Sequence, residues 1–153
     1  APPRVAASPA VLEWLEETYR DPPLLPGDPA DRATVRGMAA LIGCDIHPLN
    51  NLRVLGSLRR DFGADQATVD AWAARWIVPG FDALESLVLR HGAGWSFGDA
   101  PSLADCYLIP QLYSARRFNI DTAAWPGLLQ VETRALAHPA FIDAHPDRQP
   151  DAD

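Results

Sequence analysis

The chain has 153 residues, 48% of them apolar, which suits one domain with a real core, and its formal net charge is -7. All thirteen basic residues are arginine, so no lysine-rich stripe exists to follow a nucleic-acid backbone; any bound anion must be gripped by local, partly desolvated arginines against the overall field. No apolar run approaches the roughly 18 residues of a membrane span and no secretory leader is recognisable, so a soluble, cytoplasmic protein is expected.

Taken in chain order, Ser8 reads as a helix N-cap with Pro9 at the first helical position, followed by Val11, Leu12 and Leu15 on one face. Between Asp21 and Pro29 four prolines stop helix formation and predict an extended linker. Asp28 and Pro29 form a second cap pair. The apolar positions Val35, Met38, Ile42, Ile46, Leu49, Leu52, Leu55 and Leu58 then recur every three or four residues, which predicts one long helix bent at Pro48 and ended by Gly63. Asp65 caps another long helix that runs to Arg90-His91-Gly92, with Pro79 as an expected kink. Ser102-Leu103-Ala104-Asp105 has the capping-box arrangement and opens a buried helix. Trp125-Pro126 opens the next one, and Pro139 starts a last short turn before the tail. No alternating strand pattern is present, so the fold class is all-α. Cys44 and Cys106 lack metal-ligand spacing and read as buried free thiols in a reducing compartment, and no histidine spacing suggests a metal site.

Two polar clusters interrupt this apolar pattern. His47, Asn50 and Arg53 follow one another at three-residue intervals and could line one wall, although His47 and the asparagines could equally satisfy backbone groups freed by Pro48. Arg116 and Arg117 end another helix, where positive charge is also favoured by the helix dipole; only one of the two should face a pocket, and Arg117 is the candidate. An arginine fork matches a carboxylate bidentately, so two of them suit a small diacid, and a dicarboxylate pocket is the chemistry these residues suggest. Ser8 could assist an anion at its helix N-terminus or be an ordinary cap.

These segments together resemble the zeta class of glutathione transferases, in particular the bacterial maleylpyruvate and maleylacetoacetate isomerases. The resemblance rests on the helix from Ser8 to Glu17, the Pro23-Leu24-Leu25-Pro26 linker, the specific Asp45-Ile46-His47-Pro48-Leu49-Asn50-Asn51 string with Arg53, Phe97-Gly98-Asp99, the Ser102 to Asp105 box that is common across the superfamily, and Ala115-Arg116-Arg117-Phe118. It departs in Ala7, where relatives usually carry glutamine, and in Leu52, where one related sequence carries arginine.

The resemblance implies a transferase C-terminal-like helical bundle over residues 29 to 145, preceded by a linker over 22 to 28 and by residues 1 to 21 as the last helix of a thioredoxin-like domain, and followed by a tail over 146 to 153. The catalytic groups are expected on that thioredoxin-like domain rather than in this chain, so the isolated chain is expected to be inactive. In the family the thiolate of glutathione adds to the double bond of a cis-diacid, the bond rotates, and thiol elimination leaves the trans isomer. The resemblance assigns Arg53, Arg117 and Asn51 to the substrate, and Ser8 and His47 to glutathione, with a homodimer as the expected assembly and no nucleic acid, membrane or metal as partner. Two other readings stand beside it: a non-catalytic helical interaction module, and a conjugating transferase with broad electrophile preference.

Overall fold

The computed structural model describes residues 6 to 150. Among them there is no strand, only a single bridge between Gly92 and Gly98. Helix α1 (Ser8–Thr18) begins one residue earlier than expected: Ala7, at φ 72°, is the N-cap, and Ser8 lies inside the first turn, its side chain making no hydrogen bond among the described residues. The prolines then keep residues 19 to 28 out of any helix. The Glu16 carboxylate, only 6% exposed, holds this segment against α1 by accepting from the Leu24 and Leu25 amides at 2.9 and 3.2 Å.

The long helix expected over residues 29 to 62 is instead four consecutive pieces: α2 (Pro29–Ala40), a π-helical turn (Leu41–Ile46), α3 (His47–Asn50) and α4 (Leu52–Phe62). Pro48 explains the widening, because it has no N–H to donate and its ring would press on the carbonyl four residues back. The backbone relieves this by letting the His47 amide bond Ile42 O, five residues back. A complete break follows at Asn51, whose backbone is extended at φ -73° and ψ 159°. Gly63 ends α4 in the left-handed conformation.

Helix α5 (Gln66–His91) is capped by Asp65, which accepts from the Thr68 amide at 2.8 Å, and carries Pro79 within it. The chain then passes through a glycine-rich turn into α6 (Leu103–Arg117), α7 (Pro126–Ala135) and α8 (Pro139–Asp143). The apolar stripes of α2, α5, α6 and α7 close on one core that includes Met38, Ile46, Ile77, Phe81, Leu112 and Leu128, each no more than 1% exposed. Phe81 meets Trp125 edge-on at 5.1 Å, and burial of a side chain that size is worth about 2–3 kcal/mol. Close approach of the layers depends on missing side chains. Gly80 leaves room for Ile46, and a Cβ on Gly43 would lie 2.6 Å from the Tyr107 ring. No helix among the described residues is long and apolar enough to cross a membrane.

Candidate functional site

The break created by Pro48 sets the first part of the site. Asn51 bridges it: its Nδ2 donates to Pro48 O at 2.8 Å while its Oδ1 accepts from the Val54 amide at 3.0 Å, so the side chain ends α3 and caps α4. Arg53 then stands in the first turn of α4, exposed and without an ion pair or hydrogen bond among the described residues. His47 is also exposed and makes no side-chain hydrogen bond among them. The interval that set His47, Asn50 and Arg53 on one wall assumed a continuous helix, and the break separates them: Asn50 turns inward, 9% exposed. Leu52, beside Arg53, is 85% exposed.

The second part comes from the end of α6. Arg116 is paired with Glu132 of α7 through two guanidinium nitrogens, the Nη1 contact being 2.6 Å, and this bond raises the arginine's pKa further. Arg117 is exposed and has no such partner among the described residues. Of the two arginines at this helix end, Arg116 is thus the one tied to an acid.

Two bonds locate the parts relative to each other. Trp72 Nε1 donates to Leu49 O at 2.8 Å, just before the break, and Asn119 Nδ2, just after α6, donates to Asp70 Oδ2 at 3.1 Å. Asp70 and Trp72 are two residues apart on α5, about 3 Å along its axis, so Arg53 and Arg117 belong to the same end of the bundle. Those anchors point in directions about 200° apart around α5.

Of the remaining residues, Ser8 lies at the N-terminus of α1 and its hydroxyl makes no hydrogen bond among the described residues. Its neighbour Pro9 lines a small cleft of about 100 Å³ with Glu13, Arg36, Gly43, Cys44 and Tyr107. Glu13 and Arg36 form a two-bond ion pair there at 2.8 Å, which holds the carboxylate below its usual range. Cys44 is exposed, not buried as its apolar neighbours suggested, because the π turn rotates it out of the helix's inner face. Cys106 is mostly buried, and that burial pushes its thiol up to about 11. A larger cleft of about 520 Å³ lies between the end of α1 and the linker, lined by Glu17, Arg20, Pro26 and Arg32, well away in sequence from the two candidate arginines.

Some of what the structure brings together has no local sequence signal. Glu85 of α5 accepts from the Gly127 and Leu128 amides at 2.8 and 2.9 Å and so caps α7 from a distance of forty-two residues. Asn50, Trp76 and Gln111 bury polar atoms that have no hydrogen-bond partner among the described residues. Pro110 lies within α6 without ending it.

A helical core opened by an Asp105-anchored capping box after a glycine-rich turn is the architecture of a transferase C-terminal domain, and residues 66 to 143 match the family model described as glutathione S-transferase, C-terminal domain. The likeness to individual proteins is closer still. The chain is 51% identical over 148 residues to maleylpyruvate isomerase of a Ralstonia species, covering 95% of this chain and 69% of that one. It is 52% identical over 144 residues to maleylacetoacetate isomerase of Pseudomonas aeruginosa, covering 94% and 66%. The chain thus spans about two thirds of the length of these relatives. Among solved structures, the holo form of maleylpyruvate isomerase, a bacterial glutathione transferase of the zeta class, superposes with a TM-score of 0.95 at 49% identity, over 97% of this chain and 71% of that one. The maleylacetoacetate isomerase of Anaeromyxobacter dehalogenans, solved with dicarboxyethyl glutathione and citrate in its active site, gives 0.92 at 44% identity, over 97% and 66%. This chain belongs to the zeta-class maleylpyruvate and maleylacetoacetate isomerase family.

Proposed function

We propose that this chain supplies the substrate-binding helical domain of a glutathione-dependent isomerase that converts maleylpyruvate or maleylacetoacetate to its fumaryl form. The observation that carries the reading is the pair Arg53 and Arg117: both are exposed at one end of the bundle and neither has an acid partner among the described residues, whereas the neighbouring Arg116 is neutralised by Glu132. Free forks of this kind suit the two carboxylates of the substrate. The relative from Anaeromyxobacter dehalogenans, solved with a dicarboxyethyl glutathione, supports the same chemistry. Asn51, assigned to the substrate by the resemblance, has both ends of its amide bonded across the break and so serves by capping the helix that carries Arg53.

Glutathione fits the donor set at the start of α1. The Ser8 hydroxyl has no partner among the described residues and Pro9 lacks an N–H, so a carboxylate of the tripeptide would find a hydroxyl and a helix N-terminus together. His47, exposed beside the break, would hold another polar group of the cofactor. Bound glutathione supplies the thiol that adds to and leaves the substrate double bond. What this chain's residues do is hold the two carboxylates and the tripeptide while the bond rotates.

In this reading residues 1 to 21 end a thioredoxin-like domain that carries the catalytic groups, 22 to 28 are a linker, 29 to 145 are the substrate domain and 146 to 153 a tail. The protein works as a homodimer in the cytoplasm and has little activity without the thioredoxin-like domain.

The test is the disappearance of maleylpyruvate absorbance with glutathione, measured for this chain and for a fusion that places the thioredoxin-like domain of the Ralstonia isomerase ahead of it. The fusion should turn over, with Arg53→Ala and Arg117→Ala each lowering kcat/KM by about 10- to 100-fold, as expected for loss of a charge-assisted carboxylate contact. A fusion that folds, binds glutathione and shows no isomerisation would overturn the reading, as would an active fusion indifferent to both substitutions.

A further inference from the structure

Just inside the break, the protein buries polar groups that find no partner among the described residues. Asn50, 9% exposed, has neither its Oδ1 nor its Nδ2 bonded; Trp76 Nε1 and Gln111 Nε2 are likewise buried and unpaired. Each of these would cost stability if left dry, and three donors face a single acceptor in the set.

Register shows that they lie near one another. Leu49 O bonds Trp72 Nε1, and Ile46 packs in the space left by Gly80, so α3 and the preceding turn run antiparallel to α5 along the stripe Trp72, Trp76, Gly80. Asn50, one helical turn beyond Ile46, falls between Trp72 and Trp76 on that stripe. On the other side the Tyr107 ring covers Gly43, while Leu103, a turn earlier, shares a cleft with Ala39 and Ala40, so α6 runs parallel to α2 and the π turn, and Gln111, one turn further along α6, falls level with residue 47, within a turn of Asn50.

We infer that Asn50, Trp76 and Gln111 together bind ordered water, one or two molecules, and that this internal hydrated site pins the α3–α4 break. Water is the ligand whose chemistry matches: it accepts from the indole and amide donors and donates to Asn50 Oδ1, which neither a proton-free anion nor a metal cation does, and the set holds no charged side chain to retain an ion. The site acts on function only through position. Asn50 precedes the Asn51 cap directly, so fixing Asn50 fixes where α4 starts and where Arg53 leaves the bundle. Asn50 is thus a positioning residue, and the inference does not depend on the substrate assigned above.

Water-selective NOE and ROE spectra of the ¹⁵N-labelled chain test it directly. The Trp76 indole proton and the Asn50 side-chain amide protons should show negative NOE contacts to water, the sign of a molecule held for longer than a nanosecond. Asn50→Leu, close in volume, should strand the other donors, lower Tm by about 4 °C or more, and speed hydrogen exchange at the Val54 amide at least tenfold while leaving the Val35 amide unchanged. The inference is overturned if the parent shows no such water contacts, or if Asn50→Leu folds with an unchanged or higher Tm. Should that variant fail to fold, the spectra of the parent decide alone.

Discussion

The starts of α6 and α4 face the same difficulty, free amides at a helix N-terminus, and meet it in opposite ways. At α6 the Asp105 carboxylate, fully buried, accepts from the Ser96 amide at 2.9 Å and from both the amide and hydroxyl of Ser102 at 2.7 Å, tying the glycine-rich turn to the helix. At α4 a neutral, half-buried Asn51 makes one acceptor contact, next to an exposed leucine, an unpaired arginine and buried polar groups with no protein partner. The difference separates a helix start tied down by a buried carboxylate from one held by a single neutral cap beside side chains that have no partner among the described residues. A buried carboxylate that serves three donors at once holds its helix start in place, even with the Ser96 hydroxyl beside it unpaired among the described residues, whereas a single neutral cap leaves the start of α4 easier to shift.

Substitutions can break that contrast. The largest effect is expected at Asp105→Ala, which strands three buried donors and should cost about 3 kcal/mol or more in urea unfolding. Asn51→Ala removes a single cap and should cost only about 1 kcal/mol. Asn51→Asp sharpens the point: it keeps the cap and most of the stability, yet places a negative charge beside Arg53, so the fusion protein should lose about tenfold in apparent affinity for a diacid through like-charge repulsion.

Acidity probes the Glu13–Arg36 pair on the far side of the π turn. The bond to Arg36 lowers the carboxylate's pKa from its ordinary 4.5, so the stability it gives is present above that value and is lost as pH falls through the lowered one. Arg36→Gln should therefore flatten the loss of Tm below about pH 4.5. The smallest effect is chemical and leaves stability untouched. At pH 8 a maleimide should label one cysteine in the native chain, the exposed Cys44, and both after unfolding, since the Cys106 thiol is shielded and held protonated by a pKa of about 11.

Local signals made most of the helices legible. Asp28, Asp65, Ser102 with Asp105, and Gly63 all punctuate helices where their chemistry predicts, and the three- and four-residue apolar spacing gives the core stripes of α2, α5 and α6. The period failed where it was smoothest. From Val35 to Leu58 the apolar pattern continues through Asn51 because the break costs no hydrophobic position, and only the pairing of Pro48 with an asparagine three residues later marks it. The same oversight put Cys44 inside and set His47, Asn50 and Arg53 on one wall. Long-range caps such as Glu16 on the linker and Glu85 on α7 were invisible because nothing near them in sequence names the amides they serve. For the candidate site, the residue types and the end of each helix could be read, but not the route of each guanidinium around α5, which depends on tertiary packing.

Convergence of Arg53 and Arg117 on one ligand is therefore the proposition to measure. A crystal structure of the fusion protein with glutathione and malonate gives it directly. The account predicts both guanidinium groups within about 3 Å of malonate oxygens, with Asn51 still capping α4. Malonate held by one arginine while the other points to solvent across α5 would contradict it.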